Sequence, residues 1–194
     1  MFRVLEKLYE AITLGAVLAL VLIVGFHGSL LLDAYFWAPF FTWLHVISGI
    51  TWIGLLYYFN LVQIPTMPKI PAELKPAVGK FIAPEALFWF RWSALATIVT
   101  GLLVATLNGY LVDALTLAHP QRVIGTGIWL GAIMAFNVWF IIWPNQKKAL
   151  GIVKVDDAAK ARAARVAMLT SRINFVLSVP MLYCMVVYRL FIGA

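Results

Sequence analysis

Two histidines stand in apolar sequence, His27 in VLIVGFHGSL and His45 in FTWLHVISGI. A neutral imidazole offers a lone pair to a metal at one nitrogen and an N–H to an acceptor at the other. Ionisable groups inside an apolar run of about 20 residues are costly, so each needs a reason to be there. His27 lies about five residues before the end of its run and His45 about six residues into the next. On antiparallel helices joined by a short segment, both imidazoles fall roughly 9 Å below one membrane boundary at ~1.5 Å rise per residue. Two imidazoles at one depth on different helices can ligate a haem iron axially.

The residues around them suit that chemistry. Gly49 and Trp52 follow His45 at i+4 and i+7, on its own helix face. Gly49 gives room beside the imidazole and Trp52 can wall a flat ring. Gly25, Gly28 and Ser29 crowd around His27. Helices in direct contact sit about 8–10 Å apart, which is tight for a ring plus two imidazoles. The connecting residues 33–38 reach roughly 20 Å when extended, so wider spacing is available. The plainer reading makes either histidine a neutral side chain bonded to a carbonyl or hydroxyl on a neighbouring helix, with the small residues as packing positions. His119, before Pro120, reads as a solvated loop residue rather than a ligand.

A second polar group is expected toward the opposite ends of the helices. Arg91, Asn60, Gln63, Asn137 and Asn174 all reach one layer there. A buried guanidinium needs an anion or several carbonyl acceptors. Glu85 is six residues before Arg91, outside the i,i+4 spacing of a helical ion pair. The layer is either a pocket for a carboxylate, a haem propionate or a quinone headgroup, or a hydrogen-bonded brace joining four helices.

The elements that must carry these residues follow from composition. Of 194 residues, 63% are hydrophobic and 12% charged, against about half and a quarter in soluble domains; mean hydropathy is +0.93. The fold class expected is all-α, a polytopic membrane bundle forming one transmembrane domain over residues 1–194. Long uncharged runs, such as the 22 residues from Ala11 to Leu32, place five transmembrane helices at roughly 10–32, 39–64, 85–107, 122–143 and 171–192. Arg172 and Arg189 can snorkel from the last. The runs are continuous, unlike the ~10-residue alternating segments of a β-barrel. MFRVLEKLYE reads as the start of an uncleaved first helix. The segment IPTMPKIPAELKPAVGKF is expected to be irregular, and DDAAKARAARVAMLTSR to extend the fifth helix beyond the membrane.

Twelve of the 15 Lys and Arg residues fall at the N-terminus and in the second and fourth loops, against Arg122 and Arg189 on the other side and Arg91 within a helix. The positive-inside rule then places the N-terminus in the cytoplasm and the C-terminus in the periplasm. The net charge of +7 is accounted for by these loops, so it does not indicate nucleic acid. The single cysteine, Cys184, excludes both an internal disulfide framework and a C-x-x-C-H site for covalent haem. No P-loop, nucleophile–base pair or HExxH is present. Gly127 and Gly131 form a GxxxG, a packing motif with a high rate of chance matches.

WLHVISGITWIGLLYYFNLVQIP, FWFRWSALATIVTGLL, FNVWFIIWPNQKKALG and SRINFVLSVPMLY together resemble the urate oxidase N-terminal domain, the membrane domain of bacterial membrane-bound urate hydroxylases. The pattern of His45, Trp52 and Gly54 is also similar, over a shorter stretch, to the haem-binding helix of HemJ-type protoporphyrinogen oxidase and of copper-resistance D proteins. The resemblance implies a multi-pass redox module of a bacterial inner membrane, with His45 as the haem-ligand position. In the urate family a cytochrome c domain follows this domain, and C-x-x-C-H is missing here. Electrons are therefore expected to leave through quinone, a separate cytochrome c or another membrane subunit.

Three functions are consistent with these residues. The first is a haem b electron-transfer subunit of a larger respiratory or oxidoreductase assembly, with iron held by His45 and His27 and with Gly49, Trp52, Arg91, Asn137 and Asn60 around the cofactor or a quinone. The second is a non-catalytic structural subunit of a membrane complex, or a homo-oligomer, using the histidines as polar glue. The third is a urate or porphyrin oxidoreductase.

Overall fold

The computed structural model describes residues 2–188, and side chains from residue 4 onward. Among the described residues there is no strand, and five helices are long and apolar enough to cross a membrane. They are α1 (Leu8–Leu30), α2 (Ala34–Lys69), α3 (Lys75–Leu107), α5 (Arg122–Ala149) and α6 (Asp157–Val187). A short α4 (Leu111–Leu115) lies between α3 and α5. The end of the fifth expected helix, with Arg189, lies outside the described residues.

The chain divides into two compact units, Met1–Phe40 and Phe41–Ala194. In the first, α1 has no buried residue. It is apolar all round, the pattern of a helix whose surroundings are themselves apolar. Lys7 Nζ donates to Glu10 Oε1 at 2.9 Å at its start. Beyond it, the Asp33 carboxylate accepts the Tyr35 backbone N–H at 2.9 Å, and the Phe36 and Phe40 rings stack with centroids 5.7 Å apart.

The second unit has a continuous core. Trp52, Leu56 and Phe59 of α2 pack with Leu87, Phe90 and Ala94 of α3. Met134, Val138 and Ile142 of α5 and Met181 of α6 complete it. Gly127 lets α5 approach α6 closely, since a Cβ there would stand 3.0 Å from Cys184 Cβ. Gly125 does the same for α4, where a Cβ would collide with the Ala114 carbonyl oxygen. The GxxxG expected on this helix thus contributes through Gly127.

The expected spans need correction at their ends. α2 starts at Ala34 and reaches Lys69, α3 starts at Lys75, and the stretch expected to be irregular breaks only around residues 70–74. α5 reaches Ala149, and α6 does begin at Asp157, where Asp156 caps it by accepting the Ala159 N–H at 2.7 Å. The reason lies in the prolines. A helical proline lacks an N–H and collides with the carbonyl four residues earlier. Three π-helical stretches, Tyr58–Gln63, Val78–Ile82 and Asn137–Ile142, each end two residues before a proline: Pro65, Pro84 and Pro144. In each, the residue just before the proline donates five residues back, Ile64 to Phe59, Ala83 to Val78 and Trp143 to Val138. The widened turn takes up the ring, so the helix continues through sequence that reads as a loop.

Candidate functional site

His45 lies on α2 and meets α3 through a gap. Its Nδ1 is 2.8 Å from the Thr97 carbonyl oxygen and 3.3 Å from Thr100 Oγ1. A carbonyl only accepts, so Nδ1 carries the hydrogen. The Thr100 hydroxyl gives its own hydrogen to the Ala96 carbonyl at 2.6 Å, and its oxygen is a second acceptor for the imidazole. The ring occupies space that any side chain at Gly101 would fill: a Cβ there would stand 2.8 Å from His45 Cε1 and 3.1 Å from Nδ1. Thr97, Thr100 and Gly101 share one face of α3 at i, i+3 and i+4.

This arrangement fixes one tautomer. With Nδ1–H bonded to a backbone carbonyl, Nε2 keeps its lone pair, the state of a metal-binding imidazole with its orienting partner in place. Among the described residues no group of three or more His, Cys, Asp or Glu could hold a metal ion. A macrocycle that brings its own four nitrogens needs only one or two side chains to hold its metal.

Gly49 sits one turn from His45, where a Cβ would be in ordinary contact with Thr97 Cγ2 at 4.0 Å. Trp52 is 1% exposed within the core, and its Nε1 has no hydrogen-bond partner. His27 belongs to the first unit and is exposed there, its ring 6.4 Å from that of Phe26. His119 is exposed.

The second polar layer resolves into three separate arrangements. Asn137 Nδ2 donates to Asn174 Oδ1 at 2.8 Å, and Asn174 Nδ2 donates to the Met134 carbonyl at 2.9 Å. This pair joins α5 to α6. Asn60 Nδ2 donates to Leu56 O at 2.9 Å and to Ser171 Oγ at 3.0 Å, joining α2 to α6. Arg91 keeps apart from both: its guanidinium lies over the Trp143 ring, 3.5 Å from the centroid, and Nη1 donates to Leu87 O at 3.1 Å. Two buried amide oxygens, Asn60 Oδ1 and Gln63 Oε1, have no partner.

Several partners were not evident from sequence. Thr97 contributes a backbone carbonyl, which residue type does not advertise. Gly101 and Thr100 do carry a signal, a T-x-x-T-G face on a helix. Ser171 and Trp143 carry none beyond being polar or aromatic in an apolar run.

The described residues are all-helical, with five helices of the length and apolarity of a multi-pass membrane protein. Residues 114–190 match the family described as Urate oxidase N-terminal, the family that the sequence motifs resemble. The match takes in the end of α4 and all of α5 and α6, and His45 with its α3 partners lies outside it. No curated protein and no solved structure matches the chain.

Proposed function

We propose that the protein is a haem b electron-transfer subunit of a bacterial inner-membrane oxidoreductase assembly, with the N-terminus cytoplasmic and the C-terminus periplasmic. The observation that supports it is the Nδ1 hydrogen bond from His45 to the Thr97 carbonyl, which leaves Nε2 free as an axial ligand. Haem, when bound, supplies one-electron chemistry. The chain's own residues hold and orient the imidazole: Thr97 and Thr100 take its hydrogen, and Gly101 leaves room for the ring. His27 is the second ligand in this reading, on the sequence grounds of matched depth. Electrons pass onward to another membrane subunit or a cytochrome c.

The test is the reduced-minus-oxidised absorption spectrum of the purified protein, with pyridine haemochrome quantitation. Soret and α bands are expected in the wild type and in His119→Ala, and their loss in His45→Ala. In His27→Ala the expected result is retained haem with a low-spin to high-spin change. A stable, folded and colourless wild-type protein would overturn the reading in favour of a structural subunit. The family match favours one further reading, an oxidoreductase acting on urate, which urate consumption by the isolated chain would establish.

A further inference from the structure

At the end of the second unit where α2, α3, α5 and α6 carry Met67, Leu87, Gln146 and Ala164, a half-enclosed cavity of about 280 Å³ is walled mainly by apolar side chains. Its polar surface comes from few groups, among them Gln63, Gln146 and Ser171. The Gln63 Oε1 atom is buried and has no hydrogen-bond partner. An acceptor left without a donor is costly. Ser171 Oγ already accepts from Asn60 Nδ2 at 3.0 Å, which turns its hydroxyl hydrogen to other use. The cavity therefore offers the Gln63 acceptor and the Ser171 donor, with the Gln146 amide nearby, beside the edge-to-face pair of Phe59 and Phe90, whose centroids are 5.5 Å apart. It also borders the π-helical stretch Tyr58–Gln63, and such stretches recur at ligand sites.

The group that satisfies these atoms is a hydroxyl on a flat apolar ring: it donates to Gln63 and accepts from Ser171. The volume is at the lower end of the ~300–1,000 Å³ of ligand pockets, which suits one ring. A phosphate would set anionic oxygens against the Gln63 carbonyl. A quinone, which has no hydroxyl, would leave that carbonyl unmade. We propose that this cavity binds a single-ring hydroquinone and discriminates it from the oxidised quinone through Gln63 Oε1. The proposal goes beyond the haem reading and does not depend on it.

The test uses the full chain in phosphatidylcholine nanodiscs under anaerobic conditions, with decylubiquinol and decylubiquinone as probes and empty discs subtracted. The expected result is quinol binding at least tenfold tighter than quinone binding. In Gln63→Leu the quinol should weaken about tenfold to the level of the quinone. Ala164→Phe, which narrows the cavity without touching an amide, should weaken both. Equal affinities in the wild type would overturn the proposal, as would a quinol preference that survives Gln63→Leu, or binding that Ala164→Phe leaves unchanged. Quinol binding lost in proportion to added phosphatidylglycerol would overturn it in favour of a lipid-headgroup site. Retention of quinol discrimination in a haem-free His45→Ala protein separates this proposal's fate from that of the haem reading.

Discussion

Two of the polar contacts that join helices in the second unit differ in what they leave over. Asn137 and Asn174 form a closed chain: one amide donates to the next, which donates to the Met134 carbonyl, and Asn174 is fully buried. His45 forms an open one: Nδ1 is committed to Thr97 O and Nε2 retains a lone pair. A saturated buried pair fixes helix register, because every alternative packing strands an amide. An imidazole held by one nitrogen is oriented and still has a ligating atom to offer. The same residue chemistry, a polar side chain between apolar helices, is therefore saturated in one place and keeps a lone pair in the other.

The largest way to break that comparison is at the brace. Asn174→Leu leaves Asn137 buried without its acceptor, and the cost is expected to be about 2–3 kcal/mol, read from denaturant unfolding in micelles. Replacing both partners, Asn137→Leu with Asn174→Leu, should recover most of the loss, because no orphaned amide remains. The absorption spectrum should be unchanged in both. A double variant as unstable as the single one would mean that the pair does more than satisfy itself.

The two regions also differ in how far sequence reveals them. Five apolar runs and a histidine among small residues are legible because lipid forces the first and cost marks the second. Asn137 and Asn174 could be placed in one layer by counting residues along antiparallel helices. Arg91 could be placed there too, yet it turns to the Trp143 ring, and counting depth says nothing about azimuth. The helix ends are not legible, because prolines 65, 68, 76 and 84 are of a type that normally terminates helices, whereas here π-helical turns precede Pro65 and Pro84. His45's main acceptor is a backbone carbonyl, and only the fold decides which carbonyl faces which ring.

A smaller effect is expected at Gly101, on the open side of the comparison. In Gly101→Ala the new Cβ would stand 2.8 Å from His45 Cε1, well inside contact distance, so the ring must move away from α3. That movement lengthens the 2.8 Å bond to Thr97 O. The loss of stability is expected to be about 1–2 kcal/mol, with reduced haem retention on gel filtration. Gly49→Ala is the matched control, since its Cβ would make only a 4.0 Å contact; it should alter neither. Equal retention in the two variants would remove Gly101 from the site.

The smallest expected effect separates the two acceptors of the imidazole hydrogen. Thr100 Oγ1 lies at 3.3 Å and Thr97 O at 2.8 Å, so the hydroxyl is the weaker acceptor. Thr100→Val keeps the side-chain shape, removes that acceptor and frees the Ala96 carbonyl of an extra bond. Stability should change by about 0.5–1 kcal/mol or less, and haem should be retained because the Thr97 carbonyl still fixes the tautomer. Less hydrogen bonding to Nδ1–H makes the imidazole a slightly poorer electron donor, and the haem midpoint potential should rise. A fall in potential, or loss of haem, would mean that the hydroxyl rather than the carbonyl orients His45, and that the open side of the comparison is built from side chains after all.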